Sequence, residues 1–210
     1  MIEELLNIIF PKKCIYCKKQ GEGYLCSSCF CALKGKSKIT FIKNKEYNYL
    51  IYVDKYKGNM RYQMHNFKFY EKAYYYEYFI KLVLENQKIE KLLKSFDLIV
   101  PVPMLKKKKL QRGYNQTELL ANELSKRIKV NVSECLIKAK ENKTQSMLTK
   151  VERFKNVEDV FKLANNMDIM NKRIILIDDI FTTGATISSC AHVLKEAGAS
   201  RICVLVIAKT

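Results

Sequence analysis

Apolar positions in this chain alternate between short continuous runs and helical spacing, and the changes of period mark its elements. Residues 173–177, Arg-Ile-Ile-Leu-Ile, are almost purely aliphatic, as a strand covered on both faces should be. Two adjacent carboxylates follow, Asp178 and Asp179, and after Ile180 and Phe181 comes a run of hydroxyl and small residues: Thr182, Thr183, Gly184, Ala185 and Thr186. Beyond it, Ile187, Cys190, Ala191 and Leu194 fall at i, i+3, i+4 and i+7. That spacing predicts a helix over 187–197, with Gly198 at the place where helices commonly stop. A second buried strand is predicted near 97–100, Asp-Leu-Ile-Val, running into Pro101 and Pro103; proline fixes the loop and prevents further pairing. Asn115 and Glu118 have the spacing of a capping box, opening a helix with Leu119, Leu120, Leu124 and Ile128 on one face. Upstream, 47–53 has the pattern of a strand. Segments 60–69 and 72–93 have the pattern of helices, the second with Tyr75, Phe79, Leu82 and Val83 along one face.

This order of elements carries chemistry. The loop 182–186 has no bulky side chain after Phe181, so its amides can close around an anion, and a helix N-terminus behind it favours phosphate. Asp178 and Asp179 suit instead the neutral hydroxyls of a sugar, ribose above all, or a divalent ion carried by the ligand. The four lysines at 106–109 follow the 97–100 strand. If the two strands are parallel, the lysines share the carboxyl edge with the Asp178 loop, the edge where open α/β sheets bind ligands. A solvated strand end followed by a plain turn is the plainer alternative.

Composition adds two constraints. At 210 residues the chain suits one α/β domain with a small appendage. Its 38 basic and 21 acidic residues give a formal charge of +17, a field that draws nucleic acid, anionic membrane or phosphorylated ligands. An A+T-rich coding sequence would produce the same excess of Lys, Asn, Ile and Tyr, so charge alone leaves both explanations open. Tyrosines interleaved with lysines over 33–90 fit either a single-strand nucleic-acid surface or a core-facing aromatic stripe. No segment reaches the roughly 18 apolar residues needed to span a bilayer. The first ten residues carry Glu3 and Glu4 rather than a basic leader. The expectation is a cytoplasmic protein with no membrane insertion, whose thiols stay reduced.

Four of the eight cysteines form two Cys-x-x-Cys pairs, Cys14 with Cys17 and Cys26 with Cys29, joined by a short segment containing Gly21 and Gly23. Two such knuckles complete a tetrahedral thiolate shell, the requirement of structural zinc. Thiol redox chemistry, the rival, normally uses one pair at a helix start. A closed shell leaves no open position for metal catalysis. Cys31 is a nearby spare that could replace Cys29; Cys135, Cys190 and Cys203 fit small core positions. His65 and His192 have no recognisable ligand partner, and no residue declares itself as a catalytic acid, base or nucleophile.

The unbroken run 175–186 resembles the 5-phosphoribosyl-1-pyrophosphate (PRPP) motif of the type I phosphoribosyltransferases. The resemblance implies that Asp178 and Asp179 contact the ribose hydroxyls and that the loop, Phe181, Thr182, Thr183, Gly184, Ala185 and Thr186, holds the 5′-phosphate. It implies a pyrophosphate loop at Pro103, Met104, Leu105 and Lys106, and Mg²⁺ accompanying PRPP. Arg112-Gly113-Tyr114-Asn115-Gln116 narrows the likeness. With Val100-Pro101-Val102-Pro103 before it and Thr144, Gln145, Leu148, Glu152, Arg153 and Asn156 after it, the chain resembles the ComF family. That family shows a histidine where this chain has Leu105, and an arginine-bearing loop where this one has lysines. The resemblance implies an α/β, type I phosphoribosyltransferase-like fold, a mostly parallel sheet flanked by helices, with a small N-terminal zinc-ribbon-like module. The expected organisation is a zinc module over 1–40, a connecting strand and helical region over 41–95 packed on the core, and the phosphoribosyltransferase-like domain over 96–210. A mobile covering loop is expected over 140–156, with Gln145, Lys150 and Arg153 facing the ligand. The implied function is binding of PRPP and handling of incoming single-stranded DNA in natural transformation, beside a helicase-like competence partner. Alternatives are an active phosphoribosyltransferase of nucleotide salvage and, more distantly, a PRPP-sensing regulator.

Overall fold

A computed structural model describes residues 12–21, 24–42, 45–69, 72–139, 160–164 and 167–210. In chain order the elements are α1 (Ser27–Leu33), β1 (Lys38–Phe41), β2 (Tyr49–Lys55), α2 (Gly58–Phe69), α3 (Tyr75–Leu84), α4 (Gln87–Leu93), β3 (Leu98–Pro101), α5 (Lys106–Arg112), α6 (Gln116–Ile128), β4 (Asn131–Val132), β5 (Leu136–Lys138), β6 (Phe161–Leu163), β7 (Arg173–Phe181), α7 (Ala185–Glu196) and β8 (Arg201–Lys209).

Six strands form one sheet in the order β1-β2-β8-β7-β3-β4. All neighbours are parallel except β1 and β2. β5 and β6 make a separate antiparallel ribbon. The central strands are aliphatic because both sides of the sheet are covered. Ile175, Ile177, Cys203, Leu205 and Ile207 face a cluster built from α2, α3, α4 and α6. Their neighbours Ile174, Leu176, Ile202, Val204 and Val206 face the other cluster, under α7 and the β5–β6 ribbon. Successive side chains point to opposite faces, so one run of aliphatics serves two cores. β2, from the stretch expected to pack on the core, joins this sheet with Tyr49 beside Cys203 and Tyr52 beside Val206, and β1, mostly within the 1–40 expected as the zinc module, pairs with its outer side.

Three local features differ from the sequence pattern. Segment 72–93 is two helices, because Asn86 caps the second one: its side chain accepts from the amides of Lys88 and Ile89. β7 does not end at the acid pair. β8 continues to pair with it, Asp178 beside Val206 and Phe181 beside Lys209. On the other side β3 stops at Pro101, opposite Ile177, with one further bond from the Val102 amide. The acids therefore stand where one neighbouring strand has ended and the sheet edge opens. α7 begins at Ala185, two residues earlier than the periodicity predicts. It ends as expected: Gly198 takes φ 91°, its amide bonds Lys195 O, and the Ala199 amide bonds Leu194 O, a Schellman stop.

Candidate functional site

The carboxyl ends of β3 and β7 border a cleft of about 460 Å³. On one side stand Asp178, Asp179, Thr182 and Thr186; on the other stand Val102 to Leu105, Lys108, Arg112 and residues 115–117; Tyr56, Lys68 and Lys138 also line it. The two acids interlock: the Asp179 amide donates to Asp178 Oδ1 at 2.8 Å. Lys68 Nζ, at the end of α2, lies 2.9 Å from Asp179 Oδ2. Loss of water around the Asp178 carboxyl, reinforced by the charge of Asp179, pushes its pKa up to about 7. The pair thus meets the cleft with less than its full formal charge near neutrality.

The loop after β7 is shaped by a glycine and a ring. Gly184 has φ 81° and sits immediately before α7, and a Cβ there would meet Phe181 Cζ at 2.7 Å. Both the left-handed backbone and the ring beneath it exclude a side chain. The Ser188 amide closes the first helical turn onto Gly184 O, and the Ala185 amide points to Thr183 Oγ1 at 3.4 Å. The amides of Thr186 and Ile187 belong to the first helical turn, where α-helical geometry supplies no acceptor. Thr186 itself lines the cleft. Phe181 packs against the second core and supports the loop from below.

The opposite wall is pinned from α6. Thr117 Oγ1 donates to Val102 O at 2.7 Å. Asn115 caps the helix by accepting from the Thr117 amide. The capping box is not reciprocal: Glu118 receives the Asn115 side-chain amide rather than its backbone N–H. Gly113, at φ 82°, ends α5, and the Tyr114 hydroxyl donates to Phe67 O at 2.6 Å, tying this wall to α2. Arg112 lies over the Phe69 ring at 5.2 Å and donates to Gln116 Oε1 at 2.6 Å.

A second site lies at the amino end. The Sγ atoms of Cys14, Cys17, Cys26 and Cys29 all fall within 4.8 Å of one another, and those of Cys17 and Cys26 are 3.6 Å apart. A tetrahedral zinc with Zn–S near 2.3 Å requires sulfurs about 3.8 Å apart, so the four can hold a metal ion. Lys18, at φ 64°, turns the first knuckle so that its amide bonds Cys14 O. Burial raises the Cys14 thiol, but donors from the backbone of Cys17, Cys26 and Tyr16 outweigh it and lower the pKa. Cys29 is raised by burial and by its three sulfur neighbours. Four thiols crowded this way cannot all ionise on their own, and a divalent cation resolves the conflict. Cys31 is exposed and outside the cluster, while Cys135, Cys190 and Cys203 are buried core residues.

Phosphoribosyl transferase domain is the family that matches this chain, over residues 116–210. Competence protein F of Haemophilus influenzae is 31% identical over 123 residues, 58% of this chain and 54% of that protein. DNA utilization protein YhgH of Escherichia coli is 30% identical over 115 residues, 54% of this chain and 50% of its own. Competence protein ComFC of Bacillus subtilis is 38% identical over 106 residues, 48% and 39% of the respective chains. The chain is thus similar to competence proteins of the ComF type over about half of its length. It spans about half the length of the first of these curated relatives.

The structure brings Asp178, Asp179, Thr182 and Thr186 together with Pro103, Met104 and Leu105 around one cleft. Thr183, Gly184 and Ala185 form the turn behind it, and Phe181 lies beneath that turn. Lys106 is exposed at the start of α5; Lys108 faces the cleft in its stead. Gln145, Lys150 and Arg153 lie outside the described residues. Sequence reasoning missed Tyr56, Lys68 and Lys138. Lys68 had no local signal, since only the tertiary fold brings the end of α2 to β7. Arg112, Asn115 and Gln116 were visible as a motif but not as a cleft wall. No helix among the described residues is long and apolar enough to cross a membrane.

Proposed function

We propose that this chain is a ComF-family protein that binds PRPP in the β3–β7 cleft and takes part in handling incoming single-stranded DNA during natural transformation, in the cytoplasm and beside a helicase-like partner. The observation that carries the PRPP reading is the convergence of two kinds of chemistry on one cleft. An acid pair stands at the strand end, and Thr182 and Thr186, which flank the turn that opens α7, line the same cleft. Asp178 and Asp179 accept from the ribose hydroxyls. Thr182, Thr186 and the free amides of α7 receive the 5′-phosphate. Lys108 and Arg112 provide positive charge on the side expected for the diphosphate, where accompanying Mg²⁺ neutralises part of its charge. The names of relatives such as Competence protein F support the DNA role, and the +17 charge is compatible with it. Zinc is the metal that fits the four-cysteine centre, in a structural capacity.

Titration calorimetry tests the PRPP reading. Asp178→Asn combined with Asp179→Asn is expected to abolish binding while the protein stays folded; undiminished affinity removes the ribose assignment. For DNA, five phosphate contacts would give a log–log salt slope of about −3.5 on single strands, and a flat profile returns the charge to composition. The elevated Asp178 pKa favours one second reading, because a carboxyl titrating near neutrality is matched to proton transfer. That reading is transfer of the phosphoribosyl group to a base. Pyrophosphate release from PRPP with one base among a panel would bring it forward.

A further inference from the structure

The Gln116 side chain is 1% exposed, sits in the wall of the cleft, and is only half satisfied. Its Oε1 accepts from Arg112 Nη1 at 2.6 Å, while its Nε2 has no partner. Rotating the amide does not cure this. A guanidinium can only donate, so the oxygen must face Arg112 and the NH₂ must face away from it. A buried amide donor without an acceptor is costly, and native proteins keep few of them. Here the helix start is held rigidly: Thr117 Oγ1 and Asn115 Nδ2 both donate to Val102 O. The amide therefore has little freedom to find an acceptor within the fold. Gln116 belongs to the wall that carries Pro103 to Leu105, Lys108 and Arg112, opposite the acid pair and the hydroxyl loop.

We infer that Gln116 is a ligand-binding and specificity residue, whose side-chain amide donates to an oxygen of the diphosphate end of the bound sugar phosphate. This rests on the proposed PRPP reading and deepens it. A site that leaves a buried donor unpaired discriminates against any ligand lacking the matching acceptor. Gln116 thus separates PRPP from ribose 5-phosphate, which has no oxygen on that side beyond the anomeric hydroxyl. Arg112 is a positioning residue in this arrangement, since it fixes which way the amide points.

Calorimetry on the full chain with Mg²⁺ tests this, using PRPP, ribose 5-phosphate and inorganic pyrophosphate as probes. Gln116→Glu is nearly isosteric and keeps an acceptor for Arg112, but replaces the donor with a carboxylate oxygen; Gln116→Leu removes the donor without adding charge. Both are expected to weaken PRPP and pyrophosphate by roughly tenfold to a hundredfold, the glutamate more, and to change ribose 5-phosphate by less than about threefold. Equal weakening of all three probes would indicate a merely structural role and overturn the inference, as would unchanged pyrophosphate affinity in Gln116→Glu. Wild-type protein that binds PRPP no better than ribose 5-phosphate overturns it too. Wild-type protein that binds none of the probes sinks the PRPP reading and this inference together, and PRPP binding that survives loss of both acids sinks the ribose assignment alone.

Discussion

Replacing Gly184 by alanine puts a single methyl group at the turn on which the anion loop depends, and its cost can be worked out from two separate effects. The backbone there has φ 81°, where an L-residue costs roughly 1–2 kcal/mol relative to glycine. The new Cβ would also lie 2.7 Å from Phe181 Cζ, 3.2 Å from Cε2 and 3.4 Å from Cε1. The ring is packed against the second core and cannot swing aside freely, so overpacking adds about 1–3 kcal/mol. Together these predict a loss of about 2–5 kcal/mol, if the two effects add. The assay is urea unfolding of four proteins: wild type, Gly184→Ala, Phe181→Leu and the double variant. Leucine keeps much of the buried apolar surface but removes the ring edge. The alanine should cost less in that background, by about the overpacking share of 1–3 kcal/mol, leaving the backbone share behind. An alanine variant within about 0.5 kcal/mol of wild type, the range of ordinary surface substitutions, would refute the geometry. An identical alanine cost in both backgrounds would refute the ring contact.

Asp97 is bracketed by Arg173, whose Nε, Nη2 and backbone amide all donate to it; those bonds lower its pKa to about 2. Its contribution is present above the unfolded value near 3.9 and is lost as pH falls toward 2, so Asp97→Asn should destabilise at pH 6 and make no difference at the acid end of a pH-stability curve. Asp178 has the opposite sign: raised to about 7 by burial and Asp179, it favours folding below pH 4 and opposes it increasingly up to 7. Asp178→Asn should therefore raise the melting temperature at pH 8 more than at pH 4. Lys68→Met removes the charge 2.9 Å from Asp179; losing a charge-assisted bond should cost about 1–3 kcal/mol, and much less when Asp179→Asn is already present. Metal analysis should find one zinc per chain, with Cys14→Ser plus Cys17→Ser losing it and unfolding at lower temperature.

What could be read along the chain was the local chemistry. The strand, acid pair, hydroxyl loop and helix of 173–197 are contiguous, so their order was visible, as was the capping role of Asn115. The cysteine spacing identified four converging sulfurs, while the choice of Cys29 over the spare Cys31 was settled only by the folded knuckle. Boundaries failed wherever a neighbour decided them. β7 runs through its acids because β8 keeps pairing with it, and Asn86 cuts one predicted helix into two. The insertion of β2 beside β8 was invisible, because the pairing joins residues more than 150 positions apart and leaves no periodic trace in either strand.

The same non-local pairing explains why the candidate site is larger than its motif. The matched phosphoribosyl transferase domain begins at Gln116, yet Tyr56, Lys68, residues 102–105, Lys108 and Arg112 all line the cleft from outside it. Lys68 reaches Asp179 because α2 is held at two points along its length. At its middle, Gln63 donates to Ile15 O within the first cysteine knuckle; near its finish, Phe67 O receives the Tyr114 hydroxyl. Ile15 itself is buried in the core shared by α2, α3 and β7. The cysteine centre is thus not a separate bead at the end of the chain. It anchors the helix that delivers the cation to the acid pair, so a metal bound there steadies one wall of the cleft without touching the ligand. Calorimetry on chelated but still folded protein should find weaker PRPP binding in wild type, and little further loss in Lys68→Met. Equal chelation penalties in the two would break the link through α2.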